Sequence, residues 1–453
     1  MYNTARKNKV IHNKTRKNTK ISGKILSNRD GWIIAEICGS PYERGYANGY
    51  LFYRQFKLLK NILPFIVEKE IKRPFCEYIK KSNQLIKHHL TKNYPEFLEE
   101  MRGMVSGAKK RGINITLDFI IAWNAYVSLD SYFNDGNGSE KCSAFIATGN
   151  ATESGDIVVA HNTHCDLMSA RLYNIILYVI PNNGHSFVMQ TGPGLIFSSI
   201  DWFISANGIV GTETTISEIN YKPVFGNPIF CRIRHAMQYA NSLDEYVEIL
   251  LERNAGDYAC GWMFGDTRNG EIMLFELGLK KHSIQRTKNG VFYGMNSPIN
   301  KELREKETDS NDFNDVTTQI GNRRKRLEYL LNKEYYGKIN TSNSKKIISD
   351  HYDYNLGKQR MNRKSICKHM ENDPTGKYPY KLSGAFDGKV ANSSMIKAMS
   401  FLARYGSSCG KRHFVKEQYL QQHPEKEEYR KFIVDIPIYP WTIVDKYIKE
   451  KLK

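Results

Sequence analysis

Asn137–Asp166 reads NGSEKCSAFIATGNATESGDIVVAHNTHCD, and its reading decides the fold. A Gly-containing loop leads to Cys142, Ser143 to Thr148 follow as a strand, and Glu153-Ser154-Gly155-Asp156 make a turn. Ile157 to Ala160 then return as a second strand that delivers His161 and Asn162. Gly at the third turn position between β-branched runs is a hairpin signature. The reading puts a cysteine at the hairpin mouth, with His, Asn and Thr arriving at the end of the returning strand. Strand ends hold side chains rigidly while leaving them accessible, as a reactive group requires.

Upstream, Trp32 to Ile37 predicts a short strand, Gly39-Ser40-Pro41 a turn, and Leu51, Phe52, Phe56, Leu58, Leu59 and Ile62 the apolar face of a helix. A second helix is expected over Pro95 to Lys110, so residues 31–141 form a mostly helical preface. Downstream the pattern turns to short strands: Leu172 to Ile180, Ser186 to Thr191, Leu195 to Ile200, Trp202 to Ala206 and Ile209 to Thr215. A helical pair follows, Phe230 to Ala240 and Leu243 to Arg253, then the strands Gly261 to Asp266 and Glu271 to Leu277 around an Arg268-Asn269-Gly270 turn. This order suggests two sheets stacked between helical layers, and other α+β arrangements fit it too. Lys301 to Asp315 reads as an exposed charged loop, Arg323 to Leu331 and Lys345 to Asp350 as helices, and Tyr429 to Val444 as a closing strand.

The 453 residues, 41% apolar and 12% aromatic, supply a sizeable core for one large or two ordinary domains. Net charge is +19, but residues 1–29 alone carry nine Lys or Arg and no acid. Residues 1–30 are therefore expected to be a disordered basic arm, a candidate contact for anionic membranes or nucleic acid. Signatures of nucleic-acid-binding modules are not found. The start of the chain shows no apolar core of a signal peptide, and later apolar runs are broken by charges such as Arg54, Lys57 and Lys60, so no membrane span is expected.

Eight scattered cysteines without a CxxC pair argue against a zinc ribbon or a dense disulfide scaffold. His161, His164, Cys165 and Asp166 resemble a ligand cluster, yet neighbours on a strand face opposite sides, so no metal and no cofactor is expected there.

The string CSAFIATGNATESGDIVVAHNTH, with SANGIVGTETTI (Ser205 to Ile216), YGMNSP (Tyr293 to Pro298), SGAFDGKVANSSMIKAM (Ser383 to Met399) and ARYGSSCGKRHF (Ala403 to Phe414), resembles the phospholipase B-like family. That family belongs to the N-terminal-nucleophile hydrolases, beside the penicillin acyltransferases and choloylglycine hydrolases. The resemblance covers Gly31 to Val444. It implies an α+β fold of four layers, αββα, and self-cleavage between Lys141 and Cys142. Residues 1–141 would become a mostly helical small chain and 142–453 the catalytic large chain, the two remaining associated. By the same resemblance Asn296 supplies an oxyanion hole, Arg323 is the active-site arginine with Arg324 one step away, and His161 and Asn162 orient the nucleophile and receive the substrate carbonyl. Where the family carries an aromatic residue after the His-Asn-Thr run, this chain has His164. Family members are often secreted or lysosomal.

The chemistry of an amino-terminal cysteine supports that expectation independently. A free α-amino group titrates at about 7.7–8.0, below an ordinary thiol at about 8.5, and so serves as the thiol's own base. Three functions stay open at this level: hydrolysis of (phospho)lipid acyl esters through an acyl-enzyme, hydrolysis or transfer of N-acyl groups, and a non-enzymatic basic interaction or packaging protein that retains the fold.

Overall fold

The computed structural model describes residues 21–133, 142–412 and 414–446. It is a mixed α/β structure with two large sheets. The chain opens with strands β1 (Gly23–Arg29) and β2 (Trp32–Gly39), followed by helices α1 (Pro41–Leu51), α2 (Tyr53–Ile66), α3 (Phe75–Asn93), α4 (Pro95–Lys110), α5 (Leu117–Asn124) and α6 (Tyr126–Phe133). The hairpin follows as β3 (Cys142–Gly149) and β4 (Gly155–Asp166), then the single turn α7 (Leu167–Ala170). Next come β5 (Ile175–Pro181), β6 (Phe187–Thr191), β7 (Trp202–Ser205) and β8 (Ile209–Thr215). Helices α8 (Ile229–Tyr239) and α9 (Leu243–Leu251) lead into β9 (Cys260–Asp266), β10 (Glu271–Leu277), β11 (His282–Thr287) and β12 (Gly290–Gly294). After α10 (Lys301–Glu307), α11 (Gln319–Tyr329) and α12 (Thr341–Ile348), a two-stranded ribbon forms from β13 (Tyr352–Asp353) and β14 (Lys358–Gln359). The last strands are β15 (Ser383–Ala385), β16 (Asp387–Asn392), β17 (Phe401–Tyr405) and β18 (Thr442–Val444).

One sheet runs β1-β2-β5-β6-β7-β8-β9-β10-β11, and the other runs β12-β3-β4-β16-β17-β18 with β15 on β4. Alternation explains how they pack, since residues two apart on a strand share a face. Trp32, Ile34, Ile176, Trp202 and Leu274 of the first sheet share a buried core with Ala144, Ile146, Val159, Ala391 and Phe401 of the second. The opposite side of the first sheet, through Ile33, Leu177, Phe203 and Phe264, packs in one core with α1 to α6, α8 and α9. The opposite side of the second, through Phe145, Ala147, Val158, Ala160 and Val390, packs on Ile320 and Leu327 of α11 and Ile347 and Ile348 of α12.

The basic arm ends earlier than its composition suggests. Gly23–Arg29 form β1, which pairs antiparallel with β2, because that edge supplies hydrogen bonds that composition alone does not reveal. Residues 1–20 lie outside the described residues, so a truncation meant to remove only the arm has to stop before Ser22. Lys301–Glu307 is also not a loop but α10, capped by the Asn300 side chain accepting from the Leu303 N–H. Leu195 to Ile200 forms no strand: the Asn124 side chain takes the Ile196 N–H (3.0 Å) and the Gly194 carbonyl (2.8 Å), replacing a ladder.

Helices α1 and α4 approach so closely that glycines face each other. A Cβ at Gly45 would lie 1.8 Å from the Glu100 carbonyl oxygen, and one at Gly103 2.2 Å from that of Tyr42. Backbone cannot yield as a flexible side chain does, so Gly45→Ala is expected to destabilise the chain by about 3 kcal/mol, the upper part of the overpacking range. Urea denaturation of the full chain measures it, and an unchanged midpoint would show that the helix pair yields freely. Beside this contact Arg44 donates to Glu100 (Nη2···Oε2 2.8 Å) and Glu96, while Arg234 of α8 donates to the same Glu100 oxygen at 3.2 Å. This buried network ties the helical preface to the strand-rich part of the chain.

Candidate functional site

Cys142 is the first residue of β3 and pairs with Thr163 of β4. Ala144 and Ile146 belong to the core between the sheets, as do Ile157 and Val159, so by alternation Cys142, His161 and Thr163 point there too. Cys142 is 1% exposed. Its sulfur lies 3.5 Å from Asp201 Oδ2, as a thiol donor to a carboxylate. Asp201 sits just before β7 in the left-handed region (φ 65°), held in the bend that follows Ser198–Ile200. Sulfur, a carboxylate oxygen of Asp201 and a ring nitrogen of His161 all lie within 4.8 Å of one another. That is three ligand atoms, the number an open zinc site uses, and also a thiol with two groups able to take its proton.

Behind the thiol, the backbone of Cys142 is gripped by a residue just past the neighbouring strand β12 and by one on α11. Its N–H donates to Asn296 Oδ1 at 3.3 Å, and its carbonyl accepts from Arg323 Nη1 at 2.6 Å. The same Nη1 reaches Asn296 Oδ1 (3.0 Å) and Ser143 Oγ (3.1 Å), and Asn296 Nδ2 donates to the Thr215 carbonyl (2.8 Å). Asn296 has φ 79°, a conformation that Asn tolerates better than most residues. Arg324 leaves the site and bonds to the Phe313 carbonyl and Glu328, so the arginine at Cys142 is Arg323.

Two of the sequence-predicted residues part company. His161 faces the thiol, and its ring is fully buried. Asn162 is a correction: it points to the opposite face of β4 and donates to the carbonyls of Ile348 (2.6 Å) and Ile366 (3.2 Å). It thus fastens the helix side of the sheet instead of receiving substrate. His164 lies on that same face, its Nε2 at 3.1 Å from the Ile366 carbonyl, so the run from His161 to Asp166 does not converge on one point. Lys141 and the loop before it lie outside the described residues.

The sequence did not single out Asp201, Lys389, Glu213 or Tyr258. Lys389, fully buried, donates to Thr163 Oγ1 (2.7 Å), to Asp387 Oδ2 (3.2 Å) and to the Ile200 carbonyl (3.4 Å), which couples β4 to the bend carrying Asp201. Tyr258 donates to Glu213 Oε1 at 2.7 Å. Burial, then the carboxylates of Asp201 and Glu213, push the Cys142 thiol well above its ordinary range, with Lys389 opposing in part. Burial and Lys389 push His161 well below its own, so the imidazole is neutral. The one available signal was a charge set inside an apolar run, Asp201 in SSIDWF and Lys389 in GKVAN, where an unpaired charge is costly to bury. Next to Asp201 and Tyr258 lies a small crevice walled by Val127, Phe197, Ile229, Ile233 and Trp262 with Ser198 and Ser199.

Comparison with models of known protein families finds no match. An uncharacterized protein from Archaeoglobus fulgidus is 24% identical over 266 residues, which is 55% of this chain and 44% of that protein, so the match spans less than half the relative's length. Among solved structures, a mutant conjugated bile acid hydrolase from Clostridium perfringens aligns at a TM-score of 0.33 and 9% identity, over 58% of this chain and 89% of that one. Among the described residues, no helix is long and apolar enough to cross a membrane.

Proposed function

We propose that this chain is a self-processing cysteine hydrolase of the N-terminal-nucleophile type, built as a four-layer αββα sandwich, that cleaves a carboxylic acyl bond through an acyl-enzyme on Cys142. The observation that carries the reading is the convergence on one residue of three separate functions. The Cys142 thiol faces Asp201, its N–H faces Asn296, and its carbonyl faces Arg323. Buried backbone groups need partners in any residue, but here two polar side chains supply them beside the thiol.

In the proposed maturation, Sγ attacks the Lys141 carbonyl while Asp201 accepts the thiol proton and passes it to the peptide nitrogen, which leaves as the new amine when the C–N bond breaks. Water hydrolyses the resulting thioester, restoring the thiol and leaving Lys141 with a carboxylate. The freed α-amino group, next to Asn296 Oδ1, then acts as base toward Sγ in each turnover. The second N–H of Asn296, beyond the one bonded to Thr215, is the proposed oxyanion donor. The side chains lining the crevice beside Asp201 are mainly apolar, the character an acyl group calls for. Family resemblance favours a (phospho)lipid ester as its source, with N-acyl amides as the alternative. The two pieces would stay joined through the β2–β5 ladder and the Arg44–Glu100–Arg234 network.

Asp201→Asn keeps the size of the side chain and removes the proton acceptor, so self-cleavage is expected to slow by about 10²-fold, the lower end for general-base loss. Conversion of precursor to two bands over time reads this out, and wild-type speed would reduce Asp201 to a hydrogen-bonding neighbour. The substrate class is tested by presenting purified, cleaved protein with phospholipids, N-acyl amines and peptides. Turnover of none, by a chain that is also uncut, would favour the non-enzymatic reading.

A further inference from the structure

A second cluster of reactive side chains lies on the other face of the second sheet, outside the site above. His351, Cys367, His369 and Cys409 each offer one ligand atom, and all four atoms lie within 4.8 Å of one another. They come from separate places in the chain: the end of the α12 segment, the irregular stretch before β15, and the loop after β17. We propose that these four residues bind one Zn²⁺ as a structural Cys₂His₂ centre.

The geometry fits that ion. With Zn–S at about 2.3 Å and Zn–N at about 2.0–2.1 Å, tetrahedral coordination sets S···N separations at about 3.5–3.6 Å. His369 Nε2 lies 3.4 Å from the sulfur of Cys367 and 3.4 Å from that of Cys409. Hydrogen bonding alone accounts poorly for this arrangement. His369 Nδ1 faces Glu371 Oε1 at 3.0 Å, which makes Nδ1 the N–H and leaves Nε2 a single lone pair for two thiols. His351, buried in the same cluster, also turns to the Cys409 sulfur, a second imidazole on a thiol that His369 already uses. A cation at the centre satisfies all four groups together.

The surroundings are those of a metal centre. A carboxylate behind a ligating imidazole fixes its tautomer, and Glu371 is itself fixed by Arg412 (Nε···Oε1 2.7 Å, Nη2···Oε2 3.1 Å). The Lys411 N–H points at Cys409 Sγ at 3.3 Å, as a donor to a thiolate would. Cys409 is only partly buried, which gives the ion a way in. Bound there, zinc would cross-link segments with little regular structure and so brace β4 from behind. Ile366, next to Cys367, holds Asn162 and His164 by its carbonyl, and Ser408, next to Cys409, bonds the Ile348 carbonyl that Asn162 also uses.

The test is the zinc content of the full chain, purified without chelators under reducing conditions, measured on the Cys142→Ala background. That substitution removes the one thiol of the Cys142–His161–Asp201 group, so zinc that persists belongs to the second cluster. One equivalent per chain is expected. Replacing it with Co²⁺ should give the near-ultraviolet sulfur-to-cobalt charge-transfer band and the intense visible absorption of a tetrahedral centre. Cys409→Ser should weaken the band, Cys367→Ser with Cys409→Ser should abolish it, and Glu371→Gln should weaken zinc affinity by about 10–100-fold. Should Cys409→Ser fail to fold, zinc content and the cobalt spectrum of the parent chain still decide. Absence of zinc and of a charge-transfer band in reduced, folded protein overturns the proposal. So does peptide mapping that finds Cys367 and Cys409 joined as a disulfide in protein alkylated at the moment of lysis.

Discussion

Cys142→Ala is expected to remain a single 453-residue chain and to turn over no substrate, whereas the wild type resolves into residues 1–141 and 142–453. One sulfur performs both reactions in the proposed mechanism, so both are lost together. Intact mass of the two proteins reads the outcome directly. Cys142→Ser should cleave slowly, because a hydroxyl makes the same shift less readily than a thiol. Wild-type protein that stays uncut yet hydrolyses an acyl substrate would end the self-processing mechanism. Cleavage at a bond other than Lys141–Cys142 would move the nucleophile elsewhere.

Replacing Asn296 is expected to cost about 10²–10³ in kcat, the range for losing one oxyanion donor, with a smaller change in KM. Asn296→Ala also carries a backbone penalty, because a residue at φ 79° pays about 1–2 kcal/mol when it lacks a short polar side chain. Asn296→Asp is therefore the sharper variant. It keeps the oxygen that accepts from the Cys142 N–H and from Arg323 and tolerates the left-handed backbone, while losing the amide donor, and with it the bond to the Thr215 carbonyl, and adding a charge beside Arg323. Steady-state kinetics on correctly cleaved Asn296→Asp with near-normal kcat would shift the oxyanion hole to backbone amides. Asn296 would then be a positioning residue for the amino end of Cys142.

Much of the strand pattern was legible because local signals and tertiary pairing agree there. Ile209 to Thr215, Glu271 to Leu277 and the helix over Pro95 to Lys110 stand as read. The hairpin was found but cut short: β4 continues through His161 to Asp166 because β15 and β16 pair with it from more than 200 residues away. That extension explains the Asn162 correction, since a residue inside a strand takes the face its neighbours dictate. At the site, Cys142, Asn296 and Arg323 were traceable through their motifs. Asp201 was not, because a single carboxylate in a bend has no periodicity, and its partner Cys142 lies 59 residues away. The Cys₂His₂ cluster escaped for a similar reason: only Cys367 and His369 are close in sequence, and the fold brings His351 and Cys409 to them from 16 and 40 residues away.

The parallel ladder between β2 and β5 runs from Ile33 opposite Ile175 to Gly39 opposite Pro181. During synthesis β2 emerges long before its neighbour, so its apolar edge waits on the ribosome for a strand about a third of the chain later. On the proposed cleavage, the consequence becomes permanent. Precursor refolds by a first-order process in which both strands belong to one molecule, but a denatured mature protein has to reunite two pieces by collision. Its recovery would depend on concentration, and its persistence would rest on how slowly the ladder opens and not on an equilibrium it could re-enter.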